Sequence, residues 1–323
     1  MILVTGGAGF IGANVAAALD GTEVIAICDR FGCDDRWMNL RPVTVDRFVF
    51  PEEIEDFLDQ AGAEISAVVH MGAISATTER DVDLIVRNNL QFSLKLWQFC
   101  ARRQIPFIYA SSAATYGDGQ NGFDDRSDDA YLGSLRPLNA YGWSKLAFDR
   151  QVLAMIRRGE PAPSRWAGLK FFNVYGPRER HKGAMRSVVT ANFEKLRDGE
   201  GLKLFRSDRS DYTDGGQMRD FIFVNDCVAV IQWMLANEFE SGLFNVGTGK
   251  ARSWLDLGKA MFSALGLEPR IDFIDMPANL IGRYQYFTEA KMERLAAIGA
   301  PVPATDLTAG VAATYRYLAD EGA

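Results

Sequence analysis

Met1-Ile2-Leu3-Val4-Thr5-Gly6-Gly7-Ala8-Gly9-Phe10-Ile11-Gly12 opens the chain, and how these residues are read decides the fold. Residues 2–5 are apolar or β-branched and predict a short strand, which runs directly into glycines at 6, 9 and 12. Helix-like apolar spacing follows over residues 10–19. In such a strand–turn–helix, one glycine makes the tight turn and a second lets backbone N–H groups reach a pyrophosphate. The third lets the helix pack closely on the strand. Phosphates would sit at the helix N-terminus, where unpaired N–H groups and the helix dipole favour negative charge. A glycine pattern alone also fits a plain structural turn, but the strand before it and the helix after it favour dinucleotide binding at Gly6, Gly9 and Gly12.

Working outward, short apolar runs recur at residues 23–28, 67–70, 107–110 and 169–172. Longer segments with helical spacing, 85–103 and 141–157, lie between them. This alternation predicts an α/β chain of the Rossmann type, a doubly wound parallel sheet wrapped by helices. Residues 43–50 are ambiguous and leave room for a short further strand. Past Asn173 the alternation breaks down into helical stretches at 187–197, 224–238 and 253–265, with two long irregular loops expected at 118–136 and 206–218. The organisation expected is a dinucleotide-binding domain over residues 1–173. Residues 174–323 would form mainly a smaller α/β substrate lobe, with segments near 220–250 returning to the first domain.

Composition narrows the function classes. The 323 residues are 48% hydrophobic and 24% charged, ordinary for a soluble globular protein. A net charge of −7, with no Lys/Arg stripe, argues against a nucleic-acid partner. Cys28, Cys33, Cys100 and Cys227 are dispersed, and with only His70 and His181 beside them no metal site is expected. The first strand begins at once, with no leader ahead of it, and no apolar run reaches the ~18 residues of a membrane span. The expectation is therefore a chain that starts at residue 1, in the cytoplasm, without membrane contact.

The second apolar run ends in Cys28-Asp29-Arg30. A carboxylate at Asp29 would accept hydrogen bonds from the adenosine ribose. Arg30 and Arg36 favour NADP over NAD by a narrow margin, because guanidinium groups can clasp a 2′-phosphate; the other reading is two solvated arginines. Tyr141-Gly142-Trp143-Ser144-Lys145 places a phenol and an amine four residues apart, on one helix face. A free tyrosine, with a pKa near ~10, is a poor base at neutral pH. A neighbouring ammonium and a positive nicotinamide ring favour the phenolate, so Tyr141 could take an alcohol proton as hydride leaves. Tyr-x-x-x-Lys alone is common on amphipathic helices. The upstream Tyr109-Ala110-Ser111-Ser112-Ala113-Ala114-Thr115-Tyr116-Gly117 adds Ser112 as a hydroxyl donor and completes a dehydrogenase-like set.

On these motifs the whole chain resembles the extended short-chain dehydrogenase/reductase superfamily and, within it, the ADP-heptose 6-epimerase family. The narrower resemblance rests on Ala73-Ile74-Ser75-Ala76-Thr77-Thr78-Glu79, on Pro137-Leu138-Asn139-Ala140-Tyr141, and on Phe172-Asn173-Val174-Tyr175-Gly176-Pro177-Arg178-Glu179-Arg180-His181-Lys182-Gly183. Lys203-Leu204-Phe205, Arg219-Asp220-Phe221 and Gly282-Arg283-Tyr284-Gln285 complete it. The resemblance implies Ser112, Tyr141 and Lys145 as a catalytic triad and Lys182 as a second acid/base. It implies Asn173 at the sugar, with Phe205, Arg206, Arg219 and Tyr284 at the nucleotide end. Phe10, Ile11, Asp29, Arg30, Arg36, Met71, Gly72, Ala73, Ile74, Ser75, Asn88 and Val174 would line the cofactor. Met71 to Ser75 could also simply end a strand, Phe205 could be core, and Lys182 could be a surface lysine. The chain departs from the family pattern in the lengths of loops 118–136 and 206–218, around residues 43–50, and at Ala184 and Ala191, where polar side chains are expected.

The implied reaction is epimerisation at the exocyclic C6 of an ADP-heptose, by transient oxidation and reduction with bound NADP, in the supply of heptose for lipopolysaccharide inner core. A homo-oligomer, a pentamer among the options, is implied too. Two alternatives stay open. One is another nucleotide-sugar epimerase, dehydratase or reductase of the superfamily; Ala113 and Ala114 after Ser112 count against a dehydratase. The other is a non-catalytic dinucleotide-binding protein, which has no use for Tyr141, Lys145 and Ser112 together.

Overall fold

Leu3 faces one apolar cluster while Ile2 and Val4 face another, so the first strand is buried on both sides. That double burial is what a parallel sheet covered by helices on both faces requires. The computed structural model describes residues 1–277 and 284–320. Its strands are β1 (Ile2–Thr5), β2 (Ile25–Cys28), β3 (Arg47–Val49), β4 (Ala67–His70), β5 (Phe107–Ser112), β6 (Trp166–Phe171), β7 (Asn173–Tyr175), β8 (Leu202–Phe205), β9 (Met218–Phe223), β10 (Gly242–Val246), β11 (Ala251–Ser253) and β12 (Ile271–Ile274). Its helices are α1 (Phe10–Leu19), α2 (Ile54–Ala61), α3 (Val82–Ile85), α4 (Phe92–Arg103), α5 (Asp129–Ser134), α6 (Ala140–Arg157), α7 (Val188–Arg197), α8 (Val224–Ala236), α9 (Trp254–Ala264), α10 (Glu293–Ala297) and α11 (Leu307–Asp320).

Seven strands form the main sheet in the order β10-β6-β5-β4-β1-β2-β3, and every pairing in it is parallel. The Rossmann-type parallel sheet read from the sequence is thus present. From β1 the chain builds outward through β2 and β3, then returns to the other side of β1 for β4, β5, β6 and β10. The reversal opens a crevice beyond the carboxyl ends of β1 and β4, where ligands of open α/β sheets bind. α4 and α6 cover one face and α1 and α8 the other. A third cluster, built on Phe193, Leu204, Phe221, Leu257, Val311 and Tyr315, gathers α7, α9 and α11 around the small sheets β11-β9-β7 and β12-β8. No described helix is long and apolar enough to cross a membrane.

The differences from the sequence reading have local causes. The helix expected over 85–103 is broken by a π-helical turn, Val86–Gln91. There Asn89 accepts the Ile74 N–H at 2.8 Å and donates to the Ile74 carbonyl at 3.0 Å and the Ser144 hydroxyl at 3.0 Å. Those bonds hold the turn against the segment beyond the carboxyl end of β4, a distortion often met at functional sites. The expected loop 118–136 contains α5, whose start is capped by the Asp128 side chain accepting the Tyr131 N–H at 2.9 Å. β3 fills the ambiguous segment 43–50, and Met218 begins β9 rather than ending a loop. The sequence reading did not anticipate α2, α10 or α11.

Trp97 on α4 is completely buried, edge-on to Trp166 at 5.6 Å and to Phe107 at 6.0 Å, and its indole N–H has no hydrogen-bond partner. Trp97→Ala should cost about 3–5 kcal/mol in urea unfolding through the cavity it leaves. Trp97→Phe should cost much less, because it discards an N–H that bonds nothing; equal losses for the two variants would contradict this account.

Candidate active site

Gly6 has a φ of +64°, and a Cβ there would lie 2.5 Å from the Gly72 backbone nitrogen. A Cβ on Gly12 would lie 2.1 Å from the Gly6 carbonyl oxygen. These two positions need glycine for the protein's own packing. Gly9 is different: a Cβ there would meet only the Gly6 carbonyl, at 3.1 Å, and the residue lines the cleft. Its missing side chain leaves room for a bound group at the start of α1. That helix start has no side-chain cap and no acidic residue in its first turn, so its N–H groups and dipole face the cleft uncompensated. The cradle fits a pyrophosphate.

The cleft has a volume of about 740 Å³. Along it lie Gly6, Gly9, Phe10, Ile11 and Gly12 from the turn and α1, Asp29 and Arg36 from beyond β2, and Met71, Gly72, Ala73, Ile74 and Ser75 from beyond β4. Ser112, Tyr141, Lys145, Asn173, Val174 and Lys182 line it further along. Residues scattered from 6 to 182 thus meet around one cavity.

The cleft wall beyond β2 is tightly wired. Asp29 accepts the Ala8 N–H at 2.9 Å and the Arg30 N–H at 2.7 Å, while burial pushes its carboxyl above the ordinary value. Arg36 lines the cleft 3.7 Å from Asp29 and is held by Asp34 at 2.7 Å. Arg30 does not line the cleft: it donates to Glu52 at 2.8 Å and to the Asn88 side-chain oxygen at 2.8 Å. Asn88 therefore sits beside Arg30, outside the cleft, while its neighbour Asn89 makes the contacts to Ile74 beyond β4 and to Ser144 on α6.

Tyr141 is in the first turn of α6, whose start is capped by Asn139 accepting the Gly142 N–H at 2.8 Å. Gly142 lets this helix press on the turn after β5, since a Cβ there would lie 2.7 Å from the Ala114 carbonyl. The close approach brings Ser112 to Tyr141. The Ser112 oxygen accepts the Ala114 N–H at 3.1 Å, and its hydroxyl bonds the phenol. Burial raises the Tyr141 pKa, and the Ser112 bond works against that rise by favouring the phenolate. One turn on, Lys145 is 3% exposed, with its ammonium 6.0 Å from the centre of the Tyr141 ring. Burial lowers the Lys145 pKa to about 8, opposed by the negative charge of Asp149.

Lys182 enters from the turn Arg180–Met185, its ammonium 5.0 Å over the Phe10 ring and 3.6 Å from Glu179. Glu179 is fully buried and bonds the Ser187 N–H at 2.9 Å, the Ser187 hydroxyl, and the Thr190 hydroxyl at 2.7 Å. Ala184 and Ala191 do not line the cleft, whereas Met185, Arg186, Ser187 and Val188 do. His181 lines it too, bonded to Asn39 at 3.1 Å; burial, with Arg36 nearby, lowers its pKa to about 4.

Phe205, Arg219 and Tyr284 form an adjoining cluster instead of lining the cleft, and Arg206 lies off the cleft as well. Tyr284 is edge-on to Phe205 at 6.2 Å, and Arg219 lies 5.1 Å over the Tyr284 ring and 6.0 Å over that of Trp254. Trp254 lines the cleft and so joins the two. Arg206 points to Asp275 at 3.5 Å. Of the Gly282-Arg283-Tyr284-Gln285 stretch, Gly282 and Arg283 lie outside the described residues. The sequence reading missed Trp254, Asn89, His181 as a lining residue, and Asp149. Only Asp149 carried a local signal, a carboxylate one further turn along the Tyr-Lys face.

Residues 2–247 match the model of the NAD dependent epimerase/dehydratase family. The ADP-L-glycero-D-manno-heptose-6-epimerase of Nitratidesulfovibrio vulgaris strain DP4 is 48% identical over 99% of this chain and 98% of its own length. The enzyme of that name from Fusobacterium nucleatum is 42% identical over 99% of both chains. Among solved structures, the Helicobacter pylori ADP-L-glycero-D-manno-heptose-6-epimerase superposes with a TM-score of 0.79 at 26% identity, covering 98% of this chain and 96% of that one. A Thermotoga maritima UDP-glucose 4-epimerase reaches 0.79 at 23% identity, covering 100% and 99%, which speaks for the fold.

The buried lysine yields a stability test. Lys145 titrates at about 8 in place of 10.5, so the folded state binds its proton more weakly than the unfolded chain does. Below pH 8 the cost of burying the ammonium is fully present, and it fades as pH rises toward 10.5. At 1.36 kcal/mol per pKa unit, Lys145→Met should stabilise the fold by about 3 kcal/mol at pH 7. That gain should vanish near pH 10.5, followed by urea titrations across the range. A destabilised variant at pH 7 would refute this.

Proposed function

The chain belongs to the NAD dependent epimerase/dehydratase family, and on that premise we propose that it inverts the exocyclic C6 centre of the heptose in ADP-glycero-manno-heptose, the donor for lipopolysaccharide inner core. The observation that carries the proposal is the meeting of Ser112, Tyr141, Lys145 and Lys182 around one cleft that begins at the open N-terminus of α1. The 48% identity to a heptose epimerase over nearly the whole chain supports the choice of substrate.

A nicotinamide dinucleotide, when bound, supplies a hydride acceptor and donor at the reacting carbon. The chain's residues do the rest. The α1 N-terminus with Gly9 holds the pyrophosphate, and Asp29 holds the adenosine ribose. Ile11, Met71, Gly72, Ala73, Ile74, Ser75 and Val174 enclose the remainder. Ser112 orients the substrate hydroxyl and keeps the Tyr141 oxygen ready to take its proton. Lys145 favours the phenolate through its charge and holds the second ribose. The O6–H proton goes to Tyr141 as the C6–H bond gives up its electron pair, and the carbon becomes a ketone. Because C6 lies outside the ring, rotation about C5–C6 presents the opposite face without turning the sugar over. The C–H bond is then remade on that face, and Lys182, reaching the cleft from a separate element, protonates the oxygen. Asn173 contacts the sugar. Phe205, Arg206, Arg219 and Tyr284, reached past Trp254, hold the ADP end, so residues 174–323 serve mainly the substrate. A homo-oligomer, a pentamer on the strength of the resemblance, and a cytoplasmic setting belong to the same proposal.

The direct test is NMR of the C6 configuration after incubation with ADP-heptose, with absorbance at the reduced-nicotinamide band followed in parallel. Inversion without net cofactor consumption is expected; stoichiometric consumption would make the protein a reductase instead. Tyr141→Phe and Lys182→Met should each lower kcat by about 10²–10⁴-fold. Full activity in Tyr141→Phe would overturn the proposed chemistry.

The finer cofactor assignment is NADP, supported by Arg36 on the cleft wall beside Asp29. Arg36→Ala should weaken NADP binding roughly tenfold or more through loss of a charged hydrogen bond, and leave NAD binding nearly unchanged. Calorimetry on the protein freed of cofactor reads both; tighter binding of NAD than NADP by the unmodified chain would reverse the assignment.

A further inference from the structure

Behind the cleft lies a set of buried polar groups that the chemistry above leaves unused. Asp149 follows Tyr141 and Lys145 on α6 at spacings of eight and four residues, so all three share one helix face. Its carboxylate accepts the Tyr109 hydroxyl at 3.0 Å, the Ser111 hydroxyl at 2.8 Å and the Lys170 ammonium at 2.7 Å. Both side chains of the Asp149–Lys170 pair are 0% exposed. Lys170, on β6, also donates to Thr115 at 3.0 Å, and its ammonium lies 5.2 Å over the Tyr116 ring. Thr115 in turn donates to the Ser112 carbonyl at 2.8 Å. One ion pair therefore ties together β5, the turn that follows it, β6 and α6, the elements that carry Ser112, Tyr141 and Lys145.

Stability alone gives little reason for such a pair. Removing two charges from water costs several kcal/mol for each ion, and well-packed apolar replacements are often neutral or stabilising. Its position gives a better reason. The charged and titratable groups around Lys145 are Tyr141 and Asp149 on α6, His70 at the end of β4, and Lys170 beyond Asp149 on β6. His70 is kept neutral by burial, its pKa lowered to about 3. Lys170 adds positive charge, and Asp149 supplies the negative field that holds the Lys145 proton.

We propose that Asp149, clamped by Lys170, is a positioning residue of the active site, which sets Ser112 against Tyr141 and keeps Lys145 an ammonium. This rests on the reading of Tyr141 and Lys145 as catalytic groups. Asp149 touches no reacting atom and acts only through its neighbours.

The test compares Asp149→Asn, the double variant Asp149→Asn/Lys170→Met and Lys145→Met in the full chain, by pH profiles of kcat and KM. In Asp149→Asn, kcat should fall about tenfold with KM within about twofold. The alkaline limb of its kcat profile should move toward lower pH by about one unit, because a carboxylate has gone while Lys170 remains. The double variant removes the Asp149–Lys170 pair as a unit and leaves no Lys170 ammonium unpaired, so it folds even where the single one does not. It should show the same kcat loss with a smaller limb shift. Wild-type kcat and an unmoved limb in a folded double variant, with Lys145→Met inactive, would overturn the proposal and leave the catalytic reading intact. An active Lys145→Met would instead sink the catalytic reading itself.

Discussion

Where β1 passes into its turn, the backbone of Gly6 rests against that of Gly72 at the end of β4, with space for no Cβ between them. This contact sits where the strand order reverses, so it fixes the distance between the two sheet halves at the mouth of the crevice. Gly12 extends the constraint, packing α1 onto the same turn so that its first N–H groups face the cleft. Thr5 closes it from inside, with its hydroxyl bonded to His70 at 2.5 Å and its carbonyl accepting the Met71 N–H at 3.0 Å. The positions of Met71 to Ser75 on one wall and of the helix N-terminus on the other both follow from this narrow join. A side chain at Gly6 would force the strands apart before any ligand arrived.

The cleft is built at the expense of stability. Lys145, Lys170, Asp149, Glu179 and Asp220 are all buried. Each carries a desolvation cost that hydrogen bonds only partly offset. Asp220 shows how thorough the compensation is: it accepts the Thr248 N–H at 2.7 Å, the Gly249 N–H at 2.9 Å and the Ala290 N–H at 3.0 Å. Its neighbour Arg219 is thereby held in the cluster beside the cleft. Lys145 is the exception, buried with its charge facing the cavity and offset mainly by the field of Asp149. Poorly compensated charge of this kind is costly in an empty fold and useful where a proton must move.

How much of this was legible in the sequence depends on the range of the interactions. β1, α1 and β4 were read with their observed limits, because strand periodicity, the glycine turn and apolar helical spacing are all local signals. Ser112, Tyr141 and Lys145 were grouped by motif, and the turn of helix between the last two is also local. The break at Val86–Gln91 was not legible, because it depends on Asn89 reaching Ile74, fifteen residues earlier. The same limit explains Arg30. As an isolated arginine beside Asp29 it suggested a phosphate ligand, and only the folded chain brings Glu52 and Asn88 to it. Lys170 drew no reading within the apolar run 169–172, because its partner Asp149 lies on another element twenty-one residues away.

Two lysines face the same cavity, and they are held in opposite ways. Lys145 is fixed by its helix and nearly sealed from water, whereas the Lys182 side chain is 26% exposed and reaches in from a short turn that includes Gly183 at a φ of +54°. The backbone around Lys182 is therefore the weaker constraint, and the stronger one is Glu179. That carboxylate is bonded to Ser187 and Thr190 at the start of α7, where the helix dipole stabilises negative charge. Ser187 and its successors Val188 and Val189 also line the cleft. Whatever presses on the start of α7 from inside the cleft thus presses on the group that anchors Lys182, while Tyr141 and Lys145 stay put on α6. On the proposed chemistry, a pair fixed on one helix beside a lysine set on a short turn suits a substrate that must show two faces of the same carbon in turn.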